Sequence, residues 1–254
     1  MQNPNDSALF RFSQYMGDNT MILGHRLSEW CGHGPVLEQD IAMTNIALDF
    51  IGQARLYYQL AAELEGKGRS EDDIAYLRNE REYTNVLLTE LPNGDFAHTI
   101  FRQFLFDAWH LPFLKELSKS PDVRLSGIAE KAVKEATYHL KWSSEWVLRL
   151  GDGTPESHLR MLAAVEELWM YREELLMAAD FESELIEAGV IPAPDVLRQT
   201  WSDTLANVLH EAGLSIPQSD VRQKGGKTGI HTEHLGHLLT ELQYVQRAWP
   251  GQVW

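Results

Sequence analysis

Phe104-Leu105-Phe106-Asp107-Ala108-Trp109-His110-Leu111 sets one carboxylate inside an apolar run. Followed outward in steps of three and four, the same face reads Phe96, Ile100, Phe104, Asp107, Leu111, Leu114 and Leu117. That is the period of a helix with a buried stripe, and an unpaired charge within such a stripe is very costly. The next segment repeats the pattern with Leu125, Ile128, Ala132, Glu135, His139, Trp142 and Trp146. Upstream, Asp49 sits in the apolar run Asn45-Ile46-Ala47-Leu48-Asp49-Phe50-Ile51. Between them Ile74, Leu77, Arg81, Thr84 and Leu88 form a stripe with Glu82 one position aside, so the spacing predicts a fourth helix there.

Four helices, each bringing one carboxylate inward, are the frame of a four-helix bundle with a shared centre. A di-iron bundle takes a Glu from each of two helices and a Glu-x-x-His pair from each of the other two. Here the residue three after Glu82 is Asn85, and the residue three after Glu135 is Tyr138. The frame is present and the imidazoles that complete an iron site are missing at those two places. His110, three after Asp107, and His139, four after Glu135, are the side chains that could rescue a rearranged site. Without metal the buried carboxylates need basic partners, and Arg81 in its stripe, with Arg78 and Lys134 nearby, can neutralise two of them through its fork of donors.

The wider composition bounds the function. The chain has 254 residues, 44% hydrophobic and 23% charged, with a net charge of −15. Such an acidic chain is not expected to bind nucleic acid or anionic membranes. The single Cys31 excludes an internal disulfide and suits a reducing compartment. No run approaches the roughly 20 apolar residues of a membrane span, and Met1 to Phe10 do not read as a signal peptide. A cytoplasmic protein is expected. Breaks at Gly32 to Pro35, Gly66 to Gly68, Pro92 to Gly94, Ser120-Pro121, Gly151 to Pro155, Gly189 to Pro194 and Gly213 to Gly226 separate long helical segments. The expected organisation is a single all-α domain over 1–254. Its bundle core covers about 36–150, with extra helices over about 6–30 and 155–250.

Several strings are specific enough to carry a family resemblance. They are Leu27-Ser28-Glu29-Trp30-Cys31-Gly32-His33, Leu48-Asp49-Phe50-Ile51-Gly52-Gln53-Ala54-Arg55 and Glu90-Leu91-Pro92-Asn93-Gly94-Asp95-Phe96-Ala97. Phe106-Asp107-Ala108-Trp109-His110, Lys134-Glu135-Ala136-Thr137-Tyr138-His139-Leu140 and His231-Thr232-Glu233-His234-Leu235-Gly236 follow in order, with Pro250-Gly251-Gln252-Val253-Trp254 at the end. Over about Gly17 to Trp254 the chain resembles the PaaC-type subunits of the bacterial phenylacetyl-CoA ring epoxidase, a multicomponent monooxygenase.

That resemblance implies a ferritin-like, non-catalytic structural subunit that binds no cofactor of its own. Its partner would be a homologous PaaA-type subunit holding the di-iron centre. A reductase component with flavin, an iron–sulfur cluster and NADPH would supply electrons. The assembled enzyme would insert one oxygen atom from O₂ into the aromatic ring of phenylacetyl-CoA. Independently, Asn85 and Tyr138 point the same way. The alternative from the residues alone is an autonomous di-iron or di-manganese oxidase using Asp49, Glu82, Asp107, Glu135 and His139; an iron-storage cage fits the extra C-terminal helices poorly.

The remaining motifs are read more plainly. His231, His234 and His237 recur every three residues, but three such steps fan around a helix, and the string reads as a helix start with a hydrogen-bonding role. Arg222 to Gly229 is basic and glycine-rich without P-loop spacing. Its Lys224 and Lys227, with Glu82 and Asn85, are candidates for contact with a partner or with the phosphates of coenzyme A. Glu166 to Glu174 reads as a solvated charged face. Trp142 and Trp146 read as core, and Trp30, Trp249 and Trp254 as interface residues.

Overall fold

The computed structural model describes residues 4–252 and, among them, contains eleven α-helices and no strand. Two long hairpins make the bundle. The first is α1, Pro4–Ser28, against α2, Leu37–Glu65; the second is α5, Phe96–Leu117, against α6, Val123–Gly151. Short connections oblige each pair to run antiparallel, and α2 touches α6 to join the hairpins. Asp95 caps α5 by accepting the His98 N–H at 3.0 Å, and Asp122 caps α6 by accepting the Arg124 N–H at 2.9 Å. The core between the hairpins is aromatic, with Phe50, Phe106, Trp109 and Phe113 in contact.

The bundle does not use the helices the stripes predict. The N-terminal helix, expected to be an addition, is a bundle member, buried almost all round from Tyr15 to Gly24. The expected helix around Glu82 is absent. Residues 66–95 instead form two short helices, α3 (Glu71–Tyr76) and α4 (Leu87–Glu90), with a 3-10 turn at Glu80–Glu82 between them. The physical reason is a competition for backbone donors. Buried side chains of α1 take them, Asp18 accepting the Thr84 N–H at 2.8 Å and Asn19 the Val86 N–H at 2.9 Å. Glu174 accepts the Leu87 N–H at 2.8 Å. Tyr83 and Val86 are consequently extended and fully buried, and the stripe read from Ile74 to Leu88 belongs to a strap across the bundle.

The C-terminal half wraps this frame. Helices α7 (Pro155–Leu168) and α9 (Pro194–Glu211) cover α5 and α6, and α8 (Asp180–Glu187) lies on α1. A 3-10 stretch, Trp169–Leu176, links α7 to α8. The expected solvated face there is corrected at its end, since Glu173 and Glu174 are buried. Finally α10 (Glu233–Leu242) and α11 (Tyr244–Ala248) cover the strap. Among the described residues no helix is long and apolar enough to cross a membrane.

Candidate functional site

The structure brings Asp49, Asp107, His110, Glu135 and His139 to one level of the bundle, where α2, α5 and α6 meet. Asp107 is fully buried and accepts hydrogen bonds from Gln103 Nε2 at 2.7 Å and Ser143 Oγ at 2.8 Å. Burial pushes its carboxyl up to about 6, against the opposing pull of His139 and those two donors. His139, also buried, meets Asp49 Oδ2 through Nε2 at 3.0 Å, with its ring 5.0 Å from Phe50. Glu135 accepts from Gln53 Nε2 at 2.8 Å, and burial followed by the nearby Asp49 charge raises it, partly offset by Gln53 and His139.

His110 is the extreme case. It has no exposed surface and packs among Trp109, Phe106 and Phe50. Burial, with help from His139, lowers it to about 3, so it is neutral. Neither ring nitrogen has a hydrogen-bond partner within the protein, nor do His139 Nδ1, Gln53 Oε1 or Gln103 Oε1. The donor set is thus rich in nitrogen and oxygen but badly paired. Yet among the described residues no three His, Cys, Asp or Glu side chains converge in a way that could hold a metal ion. Two of the carboxylates are occupied by amides, Asp49 is half-exposed and held by His139, and Glu135 faces a surface groove.

The other predicted residues lie elsewhere. Glu82 is exposed, and its carboxylate accepts the Asn79 N–H at 2.7 Å, closing the 3-10 turn. Tyr138 is 48% exposed and turned outward, so the two positions that lack histidine do not face each other across a site. Asn85 is buried, but in a second cluster, where its Nδ2 donates to Glu90 Oε2 at 2.9 Å. Arg81 is exposed and is not the charge partner; Arg78 is, and for a carboxylate that the helical stripes do not single out. Its guanidinium forks onto Asp18, which has no exposed surface. Asp18 holds Arg78 charged despite the opposing effect of burial.

This second cluster is a seam joining α1, the strap and the C-terminal segment. Glu90, fully buried, accepts from His231 Nδ1 at 2.7 Å, from the Thr232 N–H at 2.6 Å and from Thr232 Oγ1 at 2.8 Å. His231 also meets the Tyr83 carbonyl at 2.9 Å. Thr232 therefore binds Glu90 and does not cap α10, while the reading of His231 as a hydrogen-bonding residue agrees with these contacts. Glu174 accepts the Gly225 N–H at 2.8 Å. Lys227 is buried, its Nζ held by Glu182 at 2.8 Å and the Met177 carbonyl at 2.7 Å, which corrects its candidacy as a free phosphate contact. Lys224 is exposed. Glycine is required at Gly226, where a Cβ would stand 2.0 Å from the Asn85 carbonyl oxygen, and at Gly229, with φ 75° and Arg81 O at 2.4 Å.

The tryptophans differ in burial. Trp142 and Trp146 both donate to Gln39 Oε1, at 2.9 and 2.8 Å, and pack on the core. Trp30 is half-buried, its Nε1 donating to Thr99 Oγ1 at 3.0 Å and its ring meeting Phe96 edge-on. Trp249 is 51% exposed. Trp254 lies outside the described residues.

Known proteins carry the same pattern from end to end. The PaaA/PaaC family, described as phenylacetic acid catabolic protein, matches residues 1–254. The chain is similar to the C subunit of the 1,2-phenylacetyl-CoA epoxidase of Escherichia coli (strain K12), with 46% identity over 246 residues, 97% of this chain and 99% of the relative. The motif resemblance and the all-α bundle agree with that match, and the chain belongs to the phenylacetic acid catabolic protein family.

Proposed function

We propose that this chain is the non-catalytic structural subunit of a multicomponent monooxygenase that epoxidises the aromatic ring of phenylacetyl-CoA, in the cytoplasm. It pairs with a homologous subunit that holds a di-iron centre, and a flavin and iron–sulfur reductase delivers electrons from NADPH. The name of the Escherichia coli relative supports the substrate and the subunit role. The observation that carries the non-catalytic part is the state of the polar centre. Its carboxylates are bound by Gln103, Ser143, Gln53 and His139, and the strap that carries Glu82 and Asn85 does not enter it. An autonomous oxidase needs those donors turned toward a shared ion.

The test loads the purified chain anaerobically with ferrous iron, desalts it and measures iron per chain, then adds the catalytic and reductase components. The expected result is negligible iron, stable co-purification and ring epoxidation only in the complete mixture. About two irons per chain, the complement of a di-iron bundle, would overturn the structural role in favour of the autonomous oxidase. Lys224, exposed beside a groove of about 730 Å³ that Arg11 also lines, stays the one candidate for contact with coenzyme A phosphates. Lys224→Ala is expected to raise the KM for phenylacetyl-CoA with assembly unchanged; an unaltered KM removes that role.

A further inference from the structure

The outer face of α2 is built unlike a solvated helix. Its buried face carries Met43, Ile46, Phe50, Gln53 and Tyr57. On the opposite side Leu37, Ile41 and Leu48 are 71%, 51% and 61% exposed. At 100° per residue these three lie within about 40° of one another, and the positions between them on that line, Thr44 and Asn45, are uncharged. A helix facing water normally puts charge there. Gly52 continues the line, exposed and with nothing within 4 Å of where a Cβ would stand. Exposed apolar side chains elsewhere, such as Leu159 on α7 and Val196 on α9, do not line up three to a helix.

Alongside this stripe runs a basic one. Lys131, Lys134 and Lys141 are exposed on α6 with Tyr138 among them, and Glu145 on the same face answers Lys141 at 3.9 Å and Arg149 at 3.5 Å. A groove of about 310 Å³, lined by Gly52 and Arg55 of α2 and by Lys131 and Glu135 of α6, shows that the two stripes border the same face. Three lysines on one helix face stand out in a chain of net charge −15. That overall charge opposes pairing with a second copy, and the lysines call for carboxylates on the other side.

We propose that the α2/α6 face is where the homologous catalytic subunit docks, laying an apolar helix along Leu37, Ile41 and Leu48, with acidic residues of that helix set against Lys131, Lys134 and Lys141. This deepens, and rests on, the function proposed above. Gly52 lets the partner's backbone approach closely. Homologous subunits that pair about an approximate two-fold axis present corresponding elements to each other, and an apolar centre with a charged rim is the expected anatomy of a lasting interface.

The test is co-purification of the full-length chain with the tagged catalytic subunit, together with epoxidation by the reconstituted enzyme. Ile41→Asp/Leu48→Asp is expected to lose co-purification, with apparent Kd weakened at least about 100-fold, a loss typical of central interface positions. Val196→Asp, on α9 and outside the proposed stripes, is expected to behave as wild type. Gly52→Arg guards against simple misfolding: a helical glycine in open space is replaced with a gain in helix propensity, so this variant should melt no lower than wild type and still fail to bind. Lys131→Glu/Lys134→Glu should slow association and flatten its dependence on salt. Normal binding by Ile41→Asp/Leu48→Asp and Gly52→Arg overturns the proposed surface. So does a homodimer of the wild-type chain that these variants dissociate while the catalytic subunit stays unbound by this face. If the wild type itself does not bind the catalytic subunit, the functional reading has failed rather than the surface.

Discussion

Two buried polar clusters of similar size behave differently, and the contrast explains what each is for. In the seam around Asp18, Glu90 and Glu182, each carboxylate meets a cation, an imidazole or several N–H groups. In the centre between α2, α5 and α6, five side-chain polar atoms of His110, His139, Gln53 and Gln103 lack a protein partner, against Asn85 Oδ1 in the seam. A network whose charges are satisfied fixes one arrangement of its elements, whereas an under-satisfied one stands at a net cost. The seam holds segments far apart in sequence, Asp18 to Arg78 and Glu90 to His231. The centre bonds neighbouring helices to one another, α2 to α6 through Gln53–Glu135 and Asp49–His139 and α5 to α6 through Ser143–Asp107, while leaving ring and amide atoms unpaired.

The largest effect should come from breaking the seam. Arg78→Met leaves Asp18 buried without its counter-charge, and a stability loss of about 3–5 kcal/mol is expected by denaturant unfolding. A loss under about 1 kcal/mol, the scale of an exposed pair, would remove the distinction between the clusters.

Next comes the Glu90 contact, which carries a pH signature. Glu90→Gln should cost about 2 kcal/mol, the scale of a charge-assisted hydrogen bond. The Glu90 interaction raises His231 above its ordinary value of 6.5, against the larger opposing effect of burial alone. A group raised on folding adds stability that is fully present below its unfolded value and fades as pH climbs through the folded one. The deficit of His231→Gln relative to wild type should therefore be larger at pH 6 than at pH 9, and a pH-independent deficit would mean that His231 acts neutral throughout.

In the centre the pH direction is the same, but the effect of substitution reverses. Asp107, pushed up to about 6, is stabilised on folding as the neutral acid, so its contribution is favourable at low pH and lost as pH rises through 6. Asp107→Asn should consequently raise the melting temperature at pH 8, by a gain of about 1–2 kcal/mol, and leave it nearly unchanged at about pH 3.5, below the ordinary carboxyl value of 3.8. A drop at both values would place Asp107 with the staples of the seam. Smallest of all is His110→Phe, which replaces a neutral, unpartnered ring among Phe50, Phe106 and Trp109. A change within about 1 kcal/mol of wild type is expected, because removing an unpaired buried polar group offsets the added volume. A large loss would show that the imidazole has a partner the protein alone does not supply.

Much of this architecture is legible in the chain and some is not. Helix class, the long segments over 37–65, 96–117 and 123–151, and the burial of Asp107 and His139 follow from local period, because a helix stripe faces its core whichever neighbour supplies that core. The residues at 85 and 138 are read directly as Asn and Tyr, but their place in a shared site depended on a helix around Glu82 that does not form. The stripe from Ile74 to Leu88 misleads because its apolar residues are buried by an extended strap, and burial alone does not reveal backbone state. The polar trio Asp18-Asn19-Thr20 between Met16 and Met21 is the available signal, three polar residues within an otherwise apolar helical run. By itself the sequence determined an all-helical fold and a depleted set of ligand candidates, since those depend on residues within a few turns of one another. Which carboxylates are paired, and by what, was decided only in three dimensions. Arg78, His231 and Lys227 find Asp18, Glu90 and Glu182 across 45 to 141 residues of chain, and no local pattern records a partner that distant.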